Sequence, residues 1–440
     1  RGGYNPNSID RFQEIQNSPR EKFLFVICSN VDQLKPDMIA TVDVDPESST
    51  YCEVISRVDF PNIGDEVHYS GWNTYLHKNN EDCMLKSYLT LPCMNTSRIY
   101  IVDVTDPKNL TLLKAIEPEV LFRYNVSFPH ASHCLPDGSV MISMLTSTDG
   151  DFFLLDGKNF EPIGTWISEG TKKPSCNGDF WYQVKNNIMI STELASPNKF
   201  KKGFNLKKLS KGTHLNIWNW KERQLLQQVK LKQPEGLMPY KVRFLHDSKT
   251  CQGYVITALG SSLYHFYKTR ILNVPSKTVR KWLYPKMPAF FTDMIISLDD
   301  KFLYISAWLH GEVRQYNISN PAHPTMISVG GLLHTESPVV FKTMTELKRI
   351  EGGAQTLQLS LDGKRLYVNT SLYTTWDLQI QPATRNGTQM VMIDVNTDSG
   401  GLFINPDFLV DFGTLRGGPY LGRDMRYPGG DCTSIIHSSR

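Results

Sequence analysis

The sequence predicts an all-β protein, a single closed seven-bladed β-propeller of the WD40-like type. Three observations predict this fold: a strand-turn-strand phrase that recurs along the chain, Asp-Gly or Asp-Asp turns between short apolar runs, and the near absence of long helical patterns. A chain of 440 residues would otherwise suggest two or three domains. The repeat therefore decides the number of domains.

The recurring phrase is a short strand that ends in Asp or Asn and is followed by a turn-rich gap. Its clear copies place that residue at Asp43, Asp103, Asp156, Asn219, Asn317 and Asp394. The longest gap, between Asn219 and Asn317, contains a weaker copy that begins at Leu263. The phrase thus indicates seven repeating units.

A second phrase defines the hairpins inside a unit. It places Asp137-Gly138, Asp299-Asp300 or Asp362-Gly363 between two apolar runs, and Asp-Gly in this setting is a strong hairpin signal. One unit then holds about four short strands, and radial repetition of such units is a propeller. A pair of β-sandwiches is the alternative, but it would not produce the recurring phrase. We expect residues 1–21 to be a poorly ordered extension and residues 22–440 to form the propeller.

Composition excludes several classes of function. The chain has 47 Lys and Arg against 44 Asp and Glu, so no strong positive field favours nucleic acid as a partner. The longest apolar stretch, Phe23 to Cys28, is far shorter than the roughly 18 residues of a spanning helix. The lysine-rich segment 201–211 is expected to be a solvated loop, with peripheral membrane association as the alternative.

The cysteines bear on the cellular compartment. Eight of them are scattered along the chain without metal-type spacing, a pattern typical of reduced thiols rather than of a disulfide framework. We therefore expect a cytoplasmic protein. Six Asn-x-Ser/Thr sequons keep secretion as the minority interpretation.

Histidines are the main candidates for chemistry. His130, His133 and Cys134 form the densest group of metal-capable side chains, and imidazole and thiolate suit copper or zinc. Structural packing is an equal alternative for this cluster. His68, His246 and His310 each lie beside an apolar or aromatic run, where a single histidine is more often part of the core. Their distribution over several blades favours a shared centre, because the inner strands of a propeller converge on one axis.

Three carboxylates are candidates for acid, base or supporting roles. They are Asp179, Asp293 and Asp431, with turn capping as the alternative, above all for Asp293. The sequence contains neither a Gly-x-Ser-x-Gly nucleophile motif nor the glycine-rich phosphate-binding loops. Hydrolase and nucleotide-binding functions therefore lose support.

Longer motifs resemble the selenium-binding protein family, whose members include methanethiol oxidases. The matching segments run from about residue 22 to the C-terminus and include Ser70–Thr74, His130–Cys134, Gly178–Tyr182, Arg243–His246, Trp308–Gly311, Leu359–Tyr367, Asn405–Gly413 and Arg426–Cys432. The resemblance implies a seven-bladed propeller and copper-dependent oxidation of methanethiol by O2 and water to formaldehyde, hydrogen sulfide and hydrogen peroxide. It also implies covalent selenium binding and a role in transport within the Golgi.

This sequence departs from the family pattern at three places. Tyr75–Lys78 stands where the family commonly has Cys-x-x-Cys, so covalent selenium binding there is not supported. Tyr69 replaces the second histidine of a family pair, and Arg423-Asp424 replaces a His-Glu pair. A guanidinium cannot bind a cation. His77 is a candidate substitute for one lost ligand.

Two hypotheses follow from the resemblance and its departures. The first is an oxidase of sulfur metabolism that acts on a small thiol and O2. Copper would be held by a subset of His68, His130, His133, His246 and His310, and Asp179 or Asp431 would orient a ligand or move protons. The second is a non-catalytic propeller that offers its faces to protein partners or binds selenium or a metal.

Overall fold

The computed structural model describes residues 19–428 except 74, 78–79, 147, 211, 248, 267–269, 281, 331–339 and 343–346. Within these residues, seven four-stranded antiparallel sheets are arranged as the blades of a propeller. The predicted seven-bladed fold is confirmed. The boundary predicted at residue 21 stays a prediction, because residues 1–18 lie outside the described residues. Glu21 accepts hydrogen bonds from Arg365 at 2.6 Å and from the Tyr367 hydroxyl at 2.7 Å.

The first half of the chain supplies four blades. Blade 1 contains β1 (Phe23–Asn30), β2 (Pro36–Asp43) and β3 (Val54–Ile63). Blade 2 follows with β4 (Gly71–Trp72), then a separate hairpin of β5 (Tyr75–His77) and β6 (Asn80–Leu85), then β7 (Tyr88–Pro92), β8 (Ile99–Asp103) and β9 (Thr111–Ile116). Blade 3 contains β10 (Pro129–Cys134), β11 (Ser139–Met144), β12 (Phe152–Asp156) and β13 (Pro162–Thr165). Blade 4 contains β14 (Asn177–Gln183), β15 (Ile188–Glu193), β16 (His214–Asn219) and β17 (Gln224–Lys230).

The second half supplies three more blades and completes the first. Blade 5 contains β18 (Pro239–Phe244), β19 (Gly253–Thr257), β20 (Ser262–His265) and β21 (Arg270–Asn273), followed by a hairpin of β22 (Lys277–Thr278) and β23 (Lys286–Met287). Blade 6 contains β24 (Phe291–Ile296), β25 (Phe302–Ala307), β26 (Glu312–Asn317) and β27 (Thr325–Gly330), followed by a hairpin of β28 (Val340–Lys342) and β29 (Leu347–Arg349). Blade 7 contains β30 (Thr356–Leu359), β31 (Arg365–Asn369), β32 (Gln389–Val395) and β33 (Leu402–Asp411).

Strand β34 (Tyr420–Arg426) closes the ring. It pairs with β1, with Met425 opposite Val26, and thereby becomes the inner strand of blade 1. Because the two ends of the chain share one sheet, the ring of blades is closed. The remaining regular elements are short: α1 (Pro118–Phe122), α2 (Pro197–Phe200), α3 (Leu206–Leu209), α4 (Thr374–Ile380) and the 3-10 turns Pro382–Asn386 and Phe412–Thr414.

The recurring Asp or Asn lies at or next to the end of the third strand in six of the seven blades. Asp103 ends β8 and its carboxylate accepts a hydrogen bond from the Thr105 N–H at 2.9 Å. Asp156 ends β12 and accepts from the Lys158 N–H at 2.9 Å. The short polar side chain stabilises the turn to the fourth strand. This local requirement explains why the phrase was visible in the sequence, and the weaker copy at Leu263 lies in the third strand of blade 5.

Several inner strands carry a β-bulge near the same end. The register shifts occur between Pro129 and Ser132, Asn177 and Phe180, Pro239 and Lys241, and Phe291 and Asp293. A bulge re-aims the side chains beside it. His130, Asp179, Lys241 and Asp293 therefore occupy equivalent places on neighbouring inner strands.

An apolar cap covers the end at which the inner strands begin. Strands alternate in direction, so the loops that carry α2, α3 and α4 lie at this end. The cap includes Phe204, Phe290, Trp308, Tyr373 and Trp376, all of them buried. Phe204 packs edge-on against Trp376 with ring centroids 5.2 Å apart. The cap separates the axis from solvent at this end.

The lysine-rich segment is only partly the solvated loop that the sequence predicts. Lys201 donates to the Asn95 carbonyl at 2.8 Å and lies 4.4 Å from the Phe128 ring centroid. Lys202, Lys207 and Lys208 are exposed. Across the part of the chain that the structure describes, no helix has the length and apolar character needed to cross a membrane.

Candidate active site

Six side chains from four blades form what we call the axial cluster: His68, Tyr69, His130, His133, Asp179 and Lys241. His68 and Tyr69 precede β4, His130 and His133 lie on β10, Asp179 on β14 and Lys241 on β18. Five of them are less than a tenth exposed, and the Nδ1 atom of the sixth, His68, is buried. Convergence of inner strands on the axis brings these residues together although they span more than 170 positions in sequence.

His68 and His130 form an imidazole pair, with ring centroids 5.4 Å apart. The Nδ1 atom of each ring is buried and has no hydrogen-bond partner. Burial, aided by nearby positive charge, lowers the pKa of His68 well below its usual range and that of His130 to about 4. Both rings are therefore neutral at physiological pH, which is the form in which histidine binds metals.

Tyr69 lies at the centre of the axial cluster. Its ring centroid is 6.2 Å from that of His130 and 6.0 Å from that of His133, and Lys241 Nζ lies 4.6 Å from the centroid. Burial raises the pKa of the phenol, while Lys241 opposes this shift. The hydroxyl is therefore protonated at neutral pH.

His133 faces a carboxylate that a cation already neutralises. Its Nε2 lies 3.7 Å from Asp179 Oδ1, and the other carboxylate oxygen accepts from Arg243 Nη1 at 2.6 Å. Burial lowers the pKa of His133 to about 4, against the opposing effect of Asp179. Burial would raise the pKa of Asp179, but Arg243 and Lys241 hold it well below its usual range. Asp179 is thus a permanent carboxylate that orients its neighbours.

Buried aspartates also join neighbouring blades. Asp179 Oδ2 accepts from the Val242 N–H at 3.0 Å, Asp293 Oδ2 from the Leu357 N–H at 2.9 Å, and Asp424 Oδ2 from the Ser70 N–H at 2.9 Å. Each bond runs from the inner strand of one blade to that of the next. Asp293, for which turn capping was an equal sequence interpretation, lies inside β24 and has this role instead.

Two of the histidines named from the sequence contact residues outside the axial cluster. His246 lies beyond the far end of β18, and its Nδ1 is 2.8 Å from Asp300 Oδ1 in the first hairpin turn of blade 6. His310 lies in the turn between β25 and β26, with Nε2 3.1 Å from the Met287 carbonyl. The structure therefore brings together His68, His130 and His133 of the five. Asp431 and the side chain of His77 lie outside the described part of the structure.

Sequence reasoning missed the basic residues and Asp424. Lys241, Arg243 and Arg426 surround the axial cluster, with Arg426 Cζ 5.4 Å from the Tyr69 centroid and paired with Asp424 at 2.8 Å. Arg243 and Arg426 belong to motifs shared with the family, and this membership could have indicated that they lie near the site. Lys241 has no comparable signal, since a lysine within a strand usually reaches solvent.

Arg423 is fully buried beside the axial cluster. Its Nη2 lies 2.6 Å from Glu66 Oε1 and donates to Thr374 Oγ1 at 2.7 Å, and Nε donates to Ser371 Oγ at 3.3 Å. These contacts join β34 to the segment before β4 and to the start of α4. The guanidinium thus serves as a structural cation at the position where the family resemblance implies a histidine.

The axial cluster offers two imidazole nitrogens to a copper ion. In the described ranges, no group of three or more His, Cys, Asp or Glu side chains is arranged to hold a metal. Two buried, neutral imidazoles with unpartnered Nδ1 atoms, His68 and His130, nevertheless fit a two-histidine site, because imidazole nitrogen is a good copper ligand.

Fold and site together define a single-domain propeller with a buried polar centre on its axis. Residues 5–438 match the family model described as 56kDa selenium binding protein (SBP56), and the chain belongs to this family. Among curated relatives, methanethiol oxidases of Rattus norvegicus and Homo sapiens are 45% and 44% identical, each alignment covering 96% of both chains.

Solved structures agree with the fold. A hypothetical selenium-binding protein from Sulfolobus tokodaii superposes with a TM-score of 0.85 at 31% identity, covering 98% of each chain. The periplasmic gluconolactonase of Pseudomonas aeruginosa reaches a TM-score of 0.57 at 11% identity, covering 92% of this chain and 99% of its own. At that identity the second likeness concerns the fold alone.

Proposed function

We propose that this chain is a methanethiol oxidase, which oxidises a small thiol with O2 and water to an aldehyde, hydrogen sulfide and hydrogen peroxide at the axial cluster. The names of its full-length relatives support this assignment. The observation that carries it is the His68–His130 pair, whose two buried Nδ1 atoms have no partner in the protein. Buried polar atoms are costly to leave unpaired, so this pair of atoms calls for an explanation, and a bound ligand provides one.

In this proposal His68 and His130 hold copper. The metal, when bound, supplies one-electron exchange between the thiol and O2. His133, which is neutral and lies beside the Asp179 carboxylate, is placed to accept the thiol proton. The ion pair with Arg243 holds Asp179 in place, and Asp179 in turn orients the ring of His133. The apolar cap around Phe204 and Trp376 limits the access of water from that end of the propeller.

A non-catalytic family member is the second candidate, and two residues favour it. Tyr69 and Arg423 occupy positions where the family resemblance implies histidines, and the Arg423 guanidinium is fully occupied by Glu66 and Thr374. A chain of this kind would keep the scaffold and bind protein partners. Selenium carried on the Cys-x-x-Cys loop is not part of either candidate, since this chain has Tyr75–Lys78 there.

We place the protein in the cytoplasm. The six cysteines whose side chains the structure describes, at positions 28, 52, 93, 134, 176 and 251, are free thiols, which suits a reducing compartment. Asn369, one of the six sequons, is fully buried and donates to the Arg423 carbonyl, so it cannot accept a glycan in the folded protein.

Copper content and peroxide release together test the proposal. The purified chain is loaded with copper, dialysed and assayed for metal per chain and for hydrogen peroxide formed from methanethiol. We expect near-stoichiometric copper in the wild type and loss of both copper and peroxide in His68→Ala and His130→Ala. His133→Ala should keep copper and lose peroxide, and His323→Ala, at an exposed turn, is the matched control. Sub-stoichiometric copper with no peroxide would favour the second candidate.

A further inference from the structure

The cations around the axial cluster differ in how they are paired. Arg243 lies 2.6 Å from Asp179, Arg426 2.8 Å from Asp424 and Arg423 2.6 Å from Glu66. The carboxylate oxygen recorded nearest to Lys241 Nζ is Asp293 Oδ1 at 3.8 Å, beyond hydrogen-bond distance. Within the described residues, Lys241 is the buried cation of this region that has no hydrogen-bonded carboxylate.

The hydrogen bonds of Asp293 do not involve Lys241. Its Oδ1 accepts from the Met294 N–H at 2.9 Å and its Oδ2 from the Leu357 N–H at 2.9 Å. Both oxygens are therefore satisfied by the backbone at the seam between blades 6 and 7. Three N–H donors on the Lys241 ammonium remain for another acceptor.

The ammonium is directed into the axial cluster. Lys241 is 8% exposed, and its Nζ lies 4.6 Å from the centroid of Tyr69, whose ring lies beside both His130 and His133. His130 Nδ1, His133 Nε2 and Asp179 Oδ1 are buried here without partners. Desolvating an ammonium costs several kcal/mol unless an anion compensates it. The carboxylates of Asp293 and Asp179 favour the charged form of Lys241, but the nearer of the contacts lies beyond hydrogen-bond distance. The N–H donors of the ammonium can therefore serve a small anionic ligand.

We propose that Lys241 binds the substrate thiol as its thiolate. On binding, the S–H bond breaks, its electron pair stays on sulfur, and the proton passes by way of His133 to bulk solvent. The negative sulfur then lies against the Lys241 ammonium. Thiolate, not thiol, is the nucleophilic and metal-binding form of sulfur, and a neighbouring cation favours it. The inference rests on the proposed function in taking a small thiol as the substrate, but it assigns a step that precedes oxidation.

The proposal also limits the size of the substrate. The Tyr69 ring centroid lies 6.2 Å from that of His130 and 6.0 Å from that of His133, and rings packed this closely leave room beside them for a ligand of only a few heavy atoms. A thiol with a short alkyl group meets this limit.

Proton release on binding tests the proposal without turnover. Methanethiol is titrated calorimetrically into the full chain under anaerobic conditions, in two buffers of different ionisation enthalpy, at a pH well below the pKa of the free thiol. We expect about one proton released per thiol bound by the wild type. In Lys241→Met, affinity should fall ~10- to 100-fold and proton release should disappear. Lys241→Arg should keep the release, and Lys114→Met removes a surface lysine paired with Glu161 as the matched control.

A second measurement covers the case in which Lys241→Met fails to fold. Thiocyanate, a small sulfur-bearing anion, should compete with methanethiol for the wild-type chain. Binding without proton release, or unchanged release in a folded Lys241→Met, would overturn the inference, as would absence of competition by thiocyanate. Proton release without any peroxide in air would contradict the oxidase assignment and leave the thiolate site standing.

Discussion

Asp179 and Arg243 form an ion pair across the seam between blades 4 and 5, with Oδ2 and Nη1 2.6 Å apart. The same oxygen accepts from the Val242 N–H, and the Arg243 guanidinium stacks 4.5 Å from the Trp181 ring centroid. The pair thus holds two blades together and fixes the wall behind His133. Charge pairing, blade assembly and site geometry depend on one carboxylate.

Replacing Asp179 by Asn should destabilise the propeller. The amide keeps an acceptor for Val242 but leaves the buried Arg243 charge unpaired, which costs about 3 to 5 kcal/mol. We expect this decrease in the free energy of unfolding from urea titration, with intact secondary structure at low urea. Asp156→Asn is the control, because its acceptor role in a turn survives the substitution. Equal stability of the two variants would show that the ion pair does not hold the seam.

Arg423 and Glu66 should show strong coupling in a double-mutant cycle. Arg423→Met leaves the buried Glu66 carboxylate without its cation, so we expect a loss of about 3 kcal/mol. Glu66→Gln should also destabilise, since Arg423 then lacks its counter-charge. The double variant should be more stable than the sum of the two losses predicts, by ~1 to 3 kcal/mol. Additive losses in urea unfolding would contradict a structural ion pair.

His133 should contribute one proton to the pH dependence of stability. Its pKa is lowered from 6.5 to about 4 by burial, so the unfolded chain binds the proton more tightly than the folded one. This contribution is fully present above pH 6.5 and is lost as the pH falls towards 4. In His133→Gln, the slope of unfolding free energy against pH in this window should be smaller by about one proton.

The comparison with wild type is essential for that measurement. Burial raises the pKa of Asp37 and of Asp377 to about 7, and carboxyl groups of this kind favour the folded state as the pH falls. Their effect opposes that of the histidines but is common to both proteins. His323→Gln controls for removal of a surface imidazole. An unchanged slope in His133→Gln would mean that the ring is not buried in its neutral form.

The propeller itself was predictable because each blade repeats local chemistry. Asp103 and Asp156 bond to backbone N–H groups two residues away, and such a short-range requirement leaves a visible pattern. The placement of His130 and His133 on one inner strand was visible for the same reason, since the two residues are three positions apart.

Most of the axial cluster was not predictable in this way. Lys241 meets Tyr69 only after the ring of blades closes, and nothing local in either strand requires the contact. His246 and His310 resemble His68 in sequence context. Yet His246 contacts Asp300 and His310 contacts the Met287 carbonyl, both outside the axial cluster. Bulges on the inner strands decide which side chains reach the axis, and a bulge leaves little signature in one sequence.

Tyr69→His should increase copper retention. The substitution places a third imidazole beside His68 and His130, where the Tyr69 ring centroid is now 6.2 Å from that of His130. Three imidazole nitrogens bind copper more tightly than two. We expect copper per chain after loading and dialysis against a mild chelator to rise above the wild-type value, measured by elemental analysis. Tyr69→Phe, which adds no donor, is the matched control and should not exceed wild type. If Tyr69→His retains no more copper than Tyr69→Phe, then His68 and His130 do not form the base of a metal site, and the imidazole pair must be kept for another ligand.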